Sequence, residues 1–266
     1  MTLIAAWASL DQKPNNRKQV SSLYIASDSR ASWGNEAKVD NLQKVFACSK
    51  SPDIFGFCGD VNFCQSALFN LVSLIDQGVL FDANCNHKAE KVLNFINKRY
   101  AEHPKDKMAV GSCIYYGTKV GRIFHLYVYS VEDGRFVCQE KQMPKDSDVI
   151  VYDGSGKNEF RDNWIQVNHE KDNNHRTSRN VYHCLAKTIE NTSKFSVGGV
   201  PQIVGIYRGT NAISFGIEKN DHLYLLGHEC SENDNLDAVE WRNDNFEITD
   251  PYTKKLKEGA QAQPFK

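Results

Sequence analysis

The sequence predicts an α+β domain in which antiparallel sheets stack face to face and helices cover their outer faces. Two observations carry this. Short runs rich in β-branched and aromatic residues arrive in blocks: strands, two helices, strands, helices, strands. A doubly wound parallel sheet would alternate strand and helix instead. Within the blocks, neighbouring strands are separated by short turn signals, Gly117 to Gly121 and Glu132-Asp133-Gly134, which suit hairpins.

The elements follow in order. Apolar runs at 2–9 and 21–28 flank the polar stretch Asp11-Gln12-Lys13-Pro14-Asn15-Asn16-Arg17-Lys18, a hairpin loop by its Pro-Asn-Asn core. Short strands fit 44–48 and 54–58, with Pro52 and Asp53 turning the chain between them. Gly56-Phe57-Cys58-Gly59-Asp60 closes the second of these and opens a helix, where Phe63, Ala67, Leu68, Leu71, Val72, Leu74 and Ile75 recur at helical spacing before Gly78. Another helix fits 87–102. Strands are expected at 109–116, 122–130, 135–142 and 148–152, then a polar interval from Lys157 to Asn174, a helix near 176–191, and strands at 200–208, 212–218 and 222–226. From about 229 the chain is polar with little periodicity. The expected division is therefore one domain over 1–228 and a C-terminal extension over 229–266. No solenoid-type repeat is visible.

Composition narrows the function. A formal net charge of -1 offers no electrostatic basis for binding nucleic acid or an anionic membrane, so neither partner is expected. No apolar stretch approaches the roughly 20 residues that span a bilayer, and the opening residues lack the basic segment of a secretory signal. A cytoplasmic chain is expected, and with it reduced cysteines. The eight cysteines include several inside apolar runs, and none forms a CxxC pair. His222, His228 and Cys230 are close in sequence but make a weak ligand set, so neither a metal nor a cofactor is expected.

The residue with the most chemical potential is Thr2. If Met1 is clipped, which a small second residue permits, Thr2 carries both a hydroxyl nucleophile and a free α-amine. That amine has an ordinary pKa of roughly 7.7–8.0, close to what a general base needs at neutral pH. Threonine with its own amine is a known activated-nucleophile pair.

Five segments occur together in order: Thr2 before an apolar strand, Asp28-Ser29-Arg30-Ala31-Ser32-Trp33-Gly34, Asn41-Leu42-Gln43-Lys44-Val45, Gly56-Phe57-Cys58-Gly59 and Gly154-Ser155-Gly156. They resemble the β-type subunits of the proteasome, including the peptidase of the bacterial ATP-dependent two-component protease, and more broadly the N-terminal-nucleophile hydrolases. The resemblance is clear over about the first 80 residues, patchy to about 217 and absent beyond. It implies a four-layer αββα sandwich of two antiparallel sheets and a threonine-type peptidase. By motif position, Thr2 is the implied nucleophile, Asp28 and Lys44 its electrostatic partners, Ser155 a proton relay, and the Gly59 N–H the oxyanion donor. Ser32 is a candidate for lining the substrate pocket. The implied partners are a peptide or unfolded-protein substrate, further copies of the chain in a ring, and an unfoldase ATPase.

These roles suit the residue types. A nearby ammonium lowers the cost of forming a threonine alkoxide, and Lys44 supplies one only if Asp28 keeps it charged against burial. Taken singly, Thr2 is an ordinary second residue, Asp28 a turn cap, Lys44 a solvated lysine and Gly154-Ser155-Gly156 a turn. One departure stands out. The family carries an acid and a serine before a late Gly-Gly pair, whereas this chain has Thr192-Ser193-Lys194-Phe195-Ser196-Val197-Gly198-Gly199. Ser196 can stand for the serine, or Ser193 for the acid. A small-molecule amidohydrolase and a silent, structural relative remain open beside the peptidase.

Overall fold

β1 (Leu3–Gln12) has no polar side chain over its first six residues because both of its faces are buried there. Successive strand side chains point to opposite faces, so Leu3, Ala5 and Trp7 enter one apolar cluster while Ile4, Ala6 and Ala8 enter another. The computed structural model describes residues 2–12, 17–82, 84–104, 111–169, 177–231 and 233–260.

β1 lies between β2 (Lys18–Ser27) and β10 (Asp148–Gly154) in the larger sheet. That sheet continues from β2 through β11 (Gln202–Tyr207), β12 (Ala212–Lys219), β13 (His222–Leu225) and β14 (His228–Cys230). Its pairings are antiparallel except that of β15 (Glu240–Arg242), which runs parallel to β12 and also pairs β16 (Ile248–Thr249). The smaller sheet is antiparallel throughout. It orders β5 (Val45–Ala47), β6 (Asp53–Cys58), β7 (Cys113–Val120), β8 (Ile123–Glu132) and β9 (Arg135–Lys141). A separate hairpin joins β3 (Ala31–Trp33) to β4 (Ala37–Val39).

The layers follow from which face packs on what. Between the sheets, Ile4, Ile25, Val204 and Ile206 meet Val45, Ile54, Tyr115 and Leu126. On the smaller sheet's outer face, Phe55, Phe57, Ile114 and Tyr116 pack under α1 (Val61–Asp76) and α2 (Lys88–Ala101). On the larger sheet's outer face, Leu3, Trp7, Tyr24 and Ile203 pack under α3 (Lys157–His169) and α4 (Ser178–Asn191). The chain is an α+β protein layered helix, sheet, sheet, helix. Two of the helix starts are capped as their sequences indicate. Asp60 Oδ1 accepts the Phe63 N–H (2.7 Å), and Thr177 Oγ1 accepts that of Asn180 (3.3 Å).

Several stretches differ from the sequence reading. β7 runs on through Gly117 to Val120, so most of the turn expected from Gly117 to Gly121 is paired strand. The interval beginning at Lys157 is not a polar loop: it forms α3, whose buried Phe160 and Trp164 sit one turn apart in an otherwise polar segment. The β3–β4 hairpin follows Asp28 where no element was expected. The region after 228 adds β14, β15 and β16 to the larger sheet, and its Phe246 packs against Trp7 and Tyr24. Loop residues 13–16, the strand start at 109–110, residues 170–176 and the last six residues lie outside the described residues, as does Met1. No helix among the described residues is long and apolar enough to cross a membrane.

A buried ion pair ties α2 to the smaller sheet. Lys88 Nζ lies 2.9 and 3.1 Å from the two Asp53 oxygens, and Oδ1 also accepts from the Tyr116 hydroxyl and Thr118 Oγ1, both at 2.6 Å. Removing one partner of a buried pair leaves the other charge desolvated and uncompensated. Lys88→Met is therefore expected to destabilise the protein by about 3–5 kcal/mol, measured by urea unfolding with an unchanged m-value.

Candidate active site

The chain around Thr2 is organised by one carboxylate. Asp28, immediately after β2, is fully buried. Its Oδ1 accepts the backbone N–H of Leu3 (3.0 Å) and Lys44 Nζ (2.8 Å), and its Oδ2 accepts the N–H groups of Arg30 (3.2 Å) and Gly198 (3.1 Å). The Asp28 N–H in turn donates to Leu3 O at 3.2 Å. The residue after Thr2 and the Lys44 ammonium thus share one oxygen atom. Lys44 is itself fully buried. Desolvation lowers its pKa, and the Asp28 charge and hydrogen bond work against that.

Thr2 is buried too, and its Oγ1 has no hydrogen-bond partner among the described residues. Buried hydroxyls are almost always paired, so an orphan beside a lysine–aspartate pair calls for an explanation. Gly154 touches the other side of Thr2. With φ of +93°, a Cβ at Gly154 would sit 1.9 Å from Thr2 O, so this approach requires glycine. The next residue, Ser155, places its Oγ 2.8 Å from Ser196 Oγ and 3.5 Å from Thr2 O. Ser196 is buried, whereas Ser193 is exposed. Of the two residues open for the late segment, Ser196 is the one that reaches this cluster.

Gly59 lies between β6 and α1. Its φ is +109°, and a Cβ there would come within 2.5 Å of Ser112 Cα. Its neighbour Asp60 donates its N–H to Ser112 Oγ at 2.9 Å. Cys58 and Asp153 approach within 4.8 Å, which brings this strand end beside the Gly154–Ser155 turn. Ser32 sits half-buried on β3, opposite Lys38, in the hairpin beyond Arg30. His222, His228 and Cys230 do not converge: His222 Nδ1 lies 2.6 Å from Glu229 Oε1, while Cys230 packs against the Leu223–Trp241 cluster. A cleft of about 570 Å³ beside β13 and β14 contains none of the candidate catalytic residues.

Two positioning groups escaped the sequence reading. Gln202, fully buried at the start of β11, saturates its amide. Its Oε1 accepts the Lys44 N–H (2.9 Å) and the Val45 N–H (3.4 Å), and its Nε2 donates to Asp28 O (3.0 Å) and Leu42 O (2.8 Å). It holds the backbones of both ion-pair members. The only signal was one amide in the otherwise apolar run Pro201-Gln202-Ile203-Val204. Arg30 grips Asp40 through Nε (2.6 Å) and Nη2 (2.7 Å), and its Nη1 donates to Phe195 O (3.3 Å) and Val197 O (3.1 Å). Those contacts fix the segment that delivers Ser196 and the Gly198 N–H.

Layering and site together define an α+β sandwich with a buried lysine–aspartate pair at the start of its first strand. A solved structure shares this fold: a Gly-1 mutant of Anbu from Hyphomicrobium sp. strain MC1, with TM-score 0.55 and 13% sequence identity over 88% of this chain and 89% of that one. No protein-family model and no curated protein matches the sequence.

Gln202→Leu leaves the buried Asp28 carbonyl, the part-buried Leu42 carbonyl and two buried N–H groups without their amide partner, a buried orphan costing about 1–3 kcal/mol. The expected result is a loss of at least about 2 kcal/mol in chemical unfolding, and Gln202→Glu should also destabilise, because it sets a buried carboxylate oxygen against the carbonyls of Asp28 and Leu42.

Proposed function

We propose that the chain is an N-terminal threonine hydrolase that cleaves peptide bonds once Met1 is removed. The observation that carries this is the unpartnered, buried Thr2 hydroxyl, next to a residue whose amide shares Asp28 Oδ1 with Lys44. The motif order quoted from the sequence and the shared fold support the same reading.

In this reading the freed Thr2 amine takes the Oγ1 proton, and Oγ1 attacks the scissile carbonyl carbon. The negative charge moves to the carbonyl oxygen, which the Gly59 N–H stabilises. The C–N bond then breaks, the leaving amine takes the proton held by the Thr2 amine, and an ester remains on Thr2. Water, activated by the same amine, hydrolyses the ester and regenerates the hydroxyl. The Lys44 ammonium stabilises the developing alkoxide, and Asp28 keeps that ammonium oriented. The Ser155–Ser196 hydroxyl pair passes protons near the amine, with Ser196 standing for the serine that the family carries before its late Gly-Gly pair. The resemblance extends the proposal to a homo-oligomeric ring fed by an unfoldase ATPase. Size-exclusion chromatography is expected to give a multiple of the chain mass, and a stable monomer contradicts the ring.

Hydrolysis of fluorogenic peptides tests the chemistry. Activity is expected to vanish in Thr2→Ala and to fall by about 100-fold or more in Lys44→Ala, with acyl amides turned over poorly. The pH profile follows from the two protonation states required. The amine must be neutral, so activity rises through roughly pH 7.7–8.0. Lys44 must be charged, so activity falls as it deprotonates, and burial brings that limb below the ordinary lysine value of 10.5. Undiminished hydrolysis by Thr2→Ala contradicts the proposal.

A further inference from the structure

Three side chains far apart in sequence meet where the two sheets adjoin the Thr2 end of β1. Cys58 ends β6 and Cys113 begins β7, and the two are directly opposed across the ladder. Directly opposed residues present their side chains on the same face of a sheet. Asp153 reaches the same point from the other sheet, where it pairs with Ile4 on β1. The two sulfurs and a carboxylate oxygen all lie within 4.8 Å of one another, and all cysteines in the protein are free thiols.

We propose that Cys58, Cys113 and Asp153 form a binding site for a thiophilic divalent cation of the zinc type, which staples the two sheets together beside Thr2. The donor set argues for the class of ion. Two thiolates select zinc-like metals over magnesium or calcium, and a third ligand of carboxylate type completes the number of protein ligands found where one coordination position stays open. The geometry is close to what binding needs. Zn–S bonds of about 2.3 Å place tetrahedral ligand atoms about 3.8 Å apart, so small side-chain rotations bring the three donors into range.

The surroundings fit a built site. Cys58 is 4% exposed, while Cys113 and Asp153 are half-buried, leaving an entry path and room for a water ligand. The Tyr115 hydroxyl donates to Asp153 Oδ2 at 3.0 Å and lies 3.7 Å from Cys58 Sγ. The Gly154 N–H donates to Asp153 Oδ1 at 2.7 Å. Outer partners of this kind orient a ligating carboxylate. Lys157 Nζ stands 3.6 Å from Asp153 Oδ1, and with one divalent ion it balances the charge of two thiolates and one carboxylate. The site is independent of the chemistry proposed for Thr2.

The test is a titration of the reduced full-length protein with Zn²⁺ alone, read by competition with a chromogenic chelator and by the shift in thermal unfolding. One equivalent is expected to bind and raise Tm. Cys113→Ser and Asp153→Asn should each weaken binding at least about 10-fold, and Tyr115→Phe by about 10–100-fold. Cys138→Ser, on the exposed face of β9, should change nothing. Metal-free melting curves establish that each variant is folded, and Asp153→Asn decides the matter if Cys113→Ser is not. Cadmium should give thiolate-to-metal charge-transfer absorption that saturates at one equivalent. Absence of saturable uptake by the wild-type protein, or uptake undiminished in the folded variants, overturns the proposal.

Discussion

The Thr2 end of this protein is built around the desolvated carboxylate of Asp28. Besides the adjacent Ser27 hydroxyl, its donors come from the start of β1, the residue after Asp28's own neighbour, the stretch before β5, and the loop before β11. An ionised carboxylate taken out of water is tolerated only when such charge-assisted bonds replace its hydration. Each segment is therefore held in place by the same requirement. Arg30 and Gln202 extend the constraint outward, one gripping the loop that delivers Gly198, the other clamping the backbones of Asp28 and Lys44.

The protein contains a second buried lysine–aspartate pair, and the comparison separates two uses of the same chemistry. Asp53 and Lys88 anchor a helix to a sheet, with Tyr116 and Thr118 completing the coordination. A buried hydroxyl without a partner occurs near this pair too, on Ser51, two residues before Asp53. Asp28, paired with Lys44, binds the amide of Leu3, the residue after Thr2, whose hydroxyl is buried and unpartnered. Buried ion pairs are weak contributors to stability in general, because desolvation offsets their attraction. What sets the two pairs apart is their place: Asp28 binds the amide that follows Thr2 together with Lys44, whereas Asp53 and Lys88 lie under a helix.

Much of the fold was legible because its strands are buried on both faces or alternate cleanly. The buried halves of β1 and β2 and most of β6 read as apolar runs, and α1 as a broad helical stripe. The misses have physical causes. α3 buries a narrow stripe, Phe160 and Trp164, within a polar segment, and β15 is three residues long. At the site, motif order nominated Thr2, Asp28, Lys44, Gly59 and Ser155, and the geometry joins Asp28 to Lys44 and sets Ser155 beside the Thr2 carbonyl. Gln202 was illegible because its partners Lys44 and Asp28 precede it by more than 150 residues. The Cys58–Cys113–Asp153 grouping was hidden for the same reason: cross-strand and cross-sheet neighbours leave no local spacing to recognise.

The claim on which the functional account rests is that Thr2 becomes a free, reactive N-terminal residue. Intact-mass spectrometry before and after treatment with a β-lactone probe, with the adduct mapped by fragmentation, tests processing and nucleophilicity together. The account expects a chain lacking Met1 that gains one adduct on Thr2. A chain that retains Met1, or one that has lost it yet leaves Thr2 unmodified, contradicts it.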